Sequence, residues 1–565
     1  MKKTRMLVWG LATLLLGACS SDDLVTDDGG GKGNGQEGKA LVAMKISIPV
    51  SGAGMAGRAD SYVDGESYEF AVKNMSVLIF DKNTKKLERI YSTLDNSLAE
   101  PSWTTDASNA QITQTAKLPA CAVENTQPKD LFIVLNSRNI EALKGIVAEE
   151  DVENYVLTDD AALYASKEAT GTGFLMCNAA LWKSGTGGGV QTFVSVEPQE
   201  TREAAEDESH RANIYVERLV GKVSLTHANT GAWNAWKYTV PEDGSSASAG
   251  AEITMLDYIL DVTNKSSYLL HRVDEAAGWF TDTYKYKNDQ NRFYGPAPIE
   301  DDLYRINYAV DPNYDKFATS DFTVNSTFPE TGVGLANPSY CYENTFDVKN
   351  QRRNRTTRVL LKANFKPKGF SENETWFTIG PSDVPLHAEA AKTRIENAVK
   401  ALADVGEDAT ITVDIAKMSG ENDFDDNVKI DGVNLSDTQK TALQTALGDV
   451  KAYKNGICYY VVRVKHFGDA ETPWGSDDAP GIGSPETKYW AYGSERPDEN
   501  ENKYYLGRYG IVRNNWYELS LNKVSAPGSC QVLTLESTID DEHNYYIDAS
   551  VKILSWKKRK QDVNL

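Results

Sequence analysis

The sequence predicts a mostly β fold: two β-sandwich domains in tandem with a few decorating helices. Three observations carry this expectation. The 565 residues far exceed the roughly 150 of a single domain. With 41% hydrophobic and 25% charged residues, the chain can build packed cores rather than stay disordered. Tyr, at 28 copies the commonest aromatic, accompanies short alternating apolar runs broken by turn residues, a composition that favours strands. The net charge of −22 argues against a nucleic-acid binder, because a phosphate backbone repels it. His210, His227, His271, His387, His466 and His543 are scattered, so no sequence-local zinc site is expected.

The chain opens on an address. Lys2, Lys3 and Arg5 precede an apolar run from Met6 to Leu16, too short for the roughly 20 residues that span a bilayer. It ends in Leu16-Gly17-Ala18-Cys19, which resembles the bacterial lipobox. That resemblance implies a signal peptide over 1–18 and a lipidated Cys19, with palmitate among its acyl groups. The alternative is an ordinary signal peptide with an incidental Cys. Ser20-Ser21-Asp22-Asp23 resembles the acidic tag that carries Bacteroidota lipoproteins to the outer face of the outer membrane. The Gly-rich stretch Asp27 to Lys39 reads as a tether.

Leu41 to Val50 gives the clearest strand pattern in the chain. Val42, Met44, Ile46, Ile48 and Val50 fall on one face at period two. Pro49 lacks an N–H, which favours a sheet edge or a strand end. The small, flexible segment from Ser51 to Asp60 contains a single Arg, Arg58, and reads either as a site of proteolytic nicking or as a plain inter-strand loop. Further strands are expected at Lys73 to Asp81, Leu87 to Tyr91 and Asp130 to Asn136, the last central because both its faces are apolar. The polar run Gln199 to Ser209 marks the expected domain boundary. The sequence thus divides into 1–18, the tether and strand of 19–58, a first domain over 59–211 and a second over 212–565. Strands of the second open at Asn213 to Val223 and continue at Ile253 to Val262, Thr357 to Ala363 and Cys458 to Val464.

Two helices stand out, His387 to Leu402 and Ser436 to Val450. The second opens on a Ser436…Gln439 capping box. Cys121, Cys177, Cys341, Cys458 and Cys530 are odd in number and form no CxxC pair. They read as scattered small core residues, with disulfide pairing left open. No GxSxG, HExxH or P-loop is present, so no catalytic residue is assigned. Asp423-Phe424-Asp425-Asp426-Asn427 spaces its acids like a calcium loop but lacks the Gly and Glu such a loop needs. No metal or cofactor is expected.

Several segments together resemble the fimbrillins of Bacteroidales, the shaft subunits of type V pili, and most nearly the Mfa-type minor fimbrium subunit. They are the lipobox, the strand before Arg58, Met75 to Asp81, Leu131 to Asn136, Tyr215 to Val220, Tyr509 to Leu519 with its Arg513-Asn514-Asn515-Trp516-Tyr517 run, and the terminal Val551 to Trp556. The resemblance implies transthyretin-like sandwiches and a surface-exposed lipoprotein precursor at the outer membrane. An Arg-specific, trypsin-like protease would cut between Arg58 and Ala59, removing the strand. The donor would lie at about 545–556, where Ile547, Ala549, Val551 and Ile553 alternate with Asp548, Ser550 and Lys552. The tail read without the family is equally an ordinary closing strand. Partners would be copies of itself in a head-to-tail filament, together with anchor and tip subunits. The fibre would support adhesion, biofilm formation and virulence. An anchor or tip adhesin of the same fimbria, or a surface glycan-binding lipoprotein or enzyme, are the alternatives. Lys557-Lys558-Arg559-Lys560 reads as a solvated end that blocks edge pairing, or as a basic patch for acidic surface on the next subunit.

Overall fold

The structure is a computed structural model. It describes residues 40–49, 61–62, 66–106, 113–161, 165, 173–242, 248–281, 285–286, 290–295, 298–316, 318–347, 350–467, 506–537, 547–554 and 557–558, the last two segments by their backbone. The molecule is mostly β.

In the first domain the strands are β1 (Ala40–Val42), β2 (Met44–Pro49), β3 (Met75–Asp81), β4 (Leu87–Ser92), β5 (Trp103–Asp106), β6 (Thr113–Lys117), β7 (Cys121–Val123), β8 (Lys129–Leu135), β9 (Met176–Asn178), β10 (Val194–Val196) and β11 (Ala212–Arg218). Nine of them form one sheet in the order β4-β3-β8-β9-β11-β2-β6-β5, with β10 also on β8. The sheet is antiparallel except where β11 runs parallel to β2. Its two faces serve two cores. Val77, Ile79, Leu131 and Ile133 point into one, with Met44, Ile46 and Ile48. Leu78, Phe80, Phe132 and Val134 point into the other, with Leu143 and Val152 from two short helices and Leu219, Val220 and Tyr342 from beyond the sheet. Alternation between two buried faces is why β3 and β8 read as continuous apolar runs.

The second domain contributes β12 (Val220–His227), β13 (Glu252–Asp261), β14 (Ser339–Tyr342), β15 (Arg358–Lys366), β16 (Ile457–Arg463), β17 (Asn515–Val524) and β18 (Ile547–Leu554). β14-β12-β17 make one sheet, with β18 antiparallel on β17. β13-β15-β16 are three strands of a second sheet. Val223, Tyr517 and Leu519 from the first meet Ile253, Leu361 and Tyr460 from the second in a shared core, the arrangement of a sandwich.

β11, which follows the boundary expected at 211/212, hydrogen-bonds to β9 and β2 of the first sheet, and a single residue, Leu219, separates it from β12. In the polar run before β11 the short helix Arg202–Glu206 is capped by the Thr201 hydroxyl and buries Ala205. Lys557 and Lys558, read as a solvated end, instead pair by backbone with Ser61–Tyr62.

Between β15 and β16 the chain leaves the sandwich and builds a separate core. Trp376–Ile379 and Val450–Tyr453 pair within a four-stranded sheet. Onto it pack α1 (Ala388–Lys400), through Ala391, Ile395 and Val399, and α2 (Asp437–Leu447), through Leu443 and Leu447. The Ser436 hydroxyl accepts from the Gln439 N–H, and the Gln439 side chain returns to the Ser436 N–H, so the expected capping box is present. The helices decorate a sheet of their own. All five described cysteines are buried and free. Burial pushes the thiols of Cys121, Cys177, Cys341 and Cys458 up to about 12.

Because Ile395 is fully buried among Phe377, Leu443 and Val450, Ile395→Ala should cost this unit about 2–5 kcal/mol. Limited proteolysis in rising urea should cut within residues 388–447 at a lower concentration than in the native chain, with the first domain's resistance to proteolysis unchanged.

Candidate functional site

The site is the N-terminal strand and the cleft that holds it. β2 lies inside the sheet, not at its edge. On one side Met44, Lys45, Ile46 and Ser47 run parallel to Ala212, Asn213, Ile214 and Tyr215. On the other, Lys45, Ile46, Ser47, Ile48 and Pro49 oppose Lys117, Ala116, Thr115, Gln114 and Thr113. Pro49 is at the strand's end, where its missing N–H does least harm. Val42, Met44, Ile46 and Ile48 are 0–1% exposed and share one core with Val77, Ile133 and Ile214. Val50, Arg58, Ala59 and Cys19 lie outside the described residues.

The opposite face of β2 is polar but not open. Ser47 is only 3% exposed, and its hydroxyl donates to Asn213 Oδ1 at 3.1 Å. Asn213 Nδ2 donates in turn to Glu300 Oε2 at 2.6 Å and to the Tyr215 hydroxyl at 3.1 Å. Beyond β6, Thr104 and Thr115 join hydroxyls at 3.1 Å.

Upstream, the strand changes partner at Ala43. β1 pairs with β7, and Leu41 and Gln199 exchange both backbone hydrogen bonds at 2.7 Å. Leu41 and Ala43 pack with Ala120 and Ala205. Around this crossing the Arg211 guanidinium donates to the Glu206 and Leu118 carbonyls, each at 2.9 Å. The Glu206 carboxylate accepts from the Ala120 N–H at 3.0 Å. The sequence marked this polar loop only as a boundary; that its charges latch over the strand's entry depends on long-range folding.

Without β2, the backbone groups of β6 and β11 that face it lose their partners and an apolar trough opens between them. A vacancy of this kind accepts an extended chain through main-chain bonds and alternate side-chain pockets. Of the expected donor residues, Ile547, Ala549, Val551 and Ile553 lie on β18, whose backbone pairs along β17 of its own chain.

A buried polar junction lies behind the cleft, where β11 passes into β12. Arg218 Nε donates to the Glu69 carbonyl at 2.7 Å and its Nη1 to Asn514 Oδ1 at 3.0 Å. The Glu69 carboxylate holds Lys222 Nζ at 2.7 Å and accepts from the Tyr340 hydroxyl at 2.5 Å. Lys222 also sits 3.7 Å over the Trp516 ring. Burial lowers its pKa against the opposing pull of Glu69. Arg513 meets Glu343 through Nε at 3.0 Å and Nη2 at 2.6 Å. His271 places Nδ1 2.6 Å from Glu217 and Nε2 3.0 Å from the Tyr308 carbonyl. Both neighbours are acceptors, which suits the doubly protonated ring. Burial lowers the pKa of His271, but Glu217 outweighs it, aided by nearby Glu343 and opposed by Arg513, so the net shift is upward. Charged residues inside apolar strands, Glu217-Arg218 above all, were the sequence signal for this junction.

Among the described residues no group of three His, Cys, Asp or Glu is placed to hold a metal. Asp423 accepts from the Ser419 N–H, Asp425 pairs with Lys440 and Asp426 accepts from Asn434, so the acidic loop's carboxylates diverge.

Residues 486–562 match the family model for the C-terminal region of fimbrillin, the major fimbrial subunit protein type IV. That segment includes β17 and β18. The chain is therefore similar, as its motifs implied, to the Bacteroidales fimbrillins. Among solved structures it is similar to the FimA fimbrillin of Porphyromonas gingivalis, at 13% identity over 94% of this chain and 99% of that one, with a TM-score of 0.36. It is also similar to the tip fimbrial protein Mfa3 of the same species, at 11% identity over 91% and 100%, TM-score 0.32. A third is a cell adhesion protein of Parabacteroides distasonis, at 11% identity over 91% and 99%, TM-score 0.35. No curated protein sequence matches the chain. The family match supports a fimbrial subunit role.

Two outcomes follow for the junction. Glu69→Leu leaves Lys222 as an uncompensated buried cation, so the variant should lose about 3–5 kcal/mol, read as a lowered urea midpoint, with Lys222→Met in the same chain recovering much of it. For His271, a raised folded pKa means its pairing with Glu217 stabilises fully below the ordinary 6.5 and is lost as pH climbs through the folded value. The melting temperature should fall above that pH, and His271→Gln should flatten that slope.

Proposed function

We propose that the chain is the shaft subunit of a surface fimbria, exported as a lipoprotein precursor and polymerised by donor-strand exchange after cleavage at Arg58. The supporting observation is the position of β2. An N-terminal segment joined to the rest only by the stretch around Arg58 fills the middle of a sheet, with unbroken pairing on both sides. Its loss removes four buried aliphatic side chains, Val42, Met44, Ile46 and Ile48, worth roughly 1.5–3 kcal/mol each before ordering costs. An equivalent strand from a neighbour regains that burial and the backbone bonds together.

The tail supports the reading from the other end. β18 contacts the sandwich as a single strand along β17, so it can detach without dividing a sheet. Its continuation, Lys557–Lys558, pairs with Ser61–Tyr62, three residues past the cut. In the precursor, the end that trimming would create and the donor tail thus lie side by side. A subunit that gives at one end and receives at the other makes a heterologous contact that does not close, and the product is a fibre.

Native trypsin treatment of the purified precursor should cut after Arg58 and produce ladders that survive SDS. A chain ending at Asp540 should be cut equally well and yield no ladder. Ladders from that truncated chain would defeat tail donation. Cutting without assembly in the full chain would favour the tip or anchor reading.

A further inference from the structure

We propose that the tail of a second copy enters the vacated trough in one direction and one register. It runs as β2 ran, with Ile547 in the place of Met44, Asp548 of Lys45, Ala549 of Ile46, Ser550 of Ser47, Val551 of Ile48 and Lys552 of Pro49. The inference rests on the donor-strand reading above and specifies what its groove recognises.

Three features of the cleft select this alignment. The apolar phase agrees: Ile547, Ala549 and Val551 fall on the buried positions of Met44, Ile46 and Ile48. Ala549 and Val551 are smaller than the residues they replace and Ile547 is close to Met44 in volume, so the core is not overpacked. Next is charge. In the precursor Lys45 stands directly opposite Lys117, a like-charge cross-strand pair relieved by Glu208, whose carboxylate meets Lys117 Nζ at 2.5 Å. Asp548 in that place removes the second cation and gives Lys117 a carboxylate across the strands as well. The third is the hydroxyl. Ser47 donates to Asn213 Oδ1 from a site with almost no exposure, and Ser550 is the tail residue that brings the same hydroxyl there.

The competing alignments each break one of these matches. A two-residue slip toward the tail's start puts the Asp548 carboxylate beside Asn213 Oδ1 and Glu300, acceptor against acceptors, and drives Tyr545 into the Met44 pocket. The opposite slip forces Lys552 into the nearly closed space of the Ser47 hydroxyl. Reversing the strand about Ser550 sets Lys552 against Lys117. The groove therefore discriminates through its outer, polar face, while the inner, apolar face accepts any alternating strand of moderate volume.

The same alignment explains why the precursor stays closed. Met44, Ile46 and Ile48 fill the pockets better than Ile547, Ala549 and Val551, and the resident strand is covalently attached, which raises its effective concentration. The tail has the better polar match and prevails only once the resident strand is cut away.

Cross-linking tests the register. Residues directly opposite in an antiparallel pair lie about 4.5–5.5 Å apart and diagonal neighbours about 7–8 Å, so a disulfide forms for the first and not the second. Full-length Thr115→Cys protein is mixed with full-length Ser550→Cys, Asp548→Cys or Lys552→Cys protein, trimmed with trypsin, oxidised mildly and run without reductant. A disulfide-linked dimer is expected with Ser550→Cys alone. As an independent readout at an exposed position, Lys117→Cys should cross-link to Asp548→Cys. Dimers through Asp548→Cys or Lys552→Cys on Thr115→Cys, or SDS-stable ladders in which neither expected pair cross-links, overturn the register and leave strand donation standing. Failure of trimmed native protein to form any ladder overturns both.

Discussion

The structure depends on a topological oddity: the segment nearest the N-terminus is an interior strand. A sheet interior needs hydrogen-bond partners on both sides, and β2 supplies them to β6 on one flank and β11 on the other. Among the described residues no other strand joins those two. Without β2 the sheet divides into its larger part and the β5–β6 pair, and an isolated two-stranded pair is marginal in water. The apolar core beneath loses its roof at the same moment, because Met44, Ile46 and Ile48 reach into it beside Val77, Ile133 and Ile214. The cleft is thus specified by one segment and filled by one segment, and nothing in the backbone chemistry requires that segment to come from the same chain.

A receiving cleft matters to a fibre only if it is rigidly joined to the giving end. The route between them is short. β11 lines the cleft, and β12 follows after Leu219. β12 runs parallel to β17, and β17 carries β18. The buried ion pairs sit along this route. Arg218, at the end of β11, reaches Asn514 at the start of β17, and Lys222 on β12 bridges Glu69 and Trp516. Burying such charges is expensive, and apolar residues of similar volume would make a stable contact. What ion pairs and directed hydrogen bonds add is a single geometry, since each donor has few places to go. The motifs that link the chain to fimbrillins, Tyr215 to Val220 and Arg513 to Tyr517, are the two sides of this junction.

Much of this was legible in the sequence where local pattern governs. Alternation from Val42 to Ile48 announced a one-faced strand; Val42, Met44, Ile46 and Ile48 are buried, and so, from the other face, are Ala43 and Ser47. The Ser436…Gln439 box fixed the start of α2, and the continuous apolar run at β8 correctly signalled two buried faces. What pattern did not reveal was partnership. Pro49 suggested an edge, yet β2 is interior, because a proline at a strand's last residue withholds only one donor. The polar run before Ala212 read only as a domain boundary, and its pattern did not reveal that Arg211 and Glu206 turn inward to latch the chain crossing at Ala43. Period-two patterning registers which face is buried; it carries no information about which strand lies alongside. Long-range pairing, such as Met44 with Ala212, is set by the fold as a whole.

That limit has a counterpart in the proposed assembly. If apolar alternation were all that the cleft read, many extended segments would fit it, including this chain's own strands during export. Two devices narrow the choice. The resident strand is attached at the entrance and held there by Gln199 and the Arg211 latch, so it finds its place without competition. The polar row on the outer face, with Lys117 at one position and Asn213 and Glu300 at another, then penalises strands that bring the wrong group to a nearly closed site. Specificity arises because an unmatched polar group there loses water without gaining a partner. The hydrophobic face gives the joint its strength, and the polar face gives it its address.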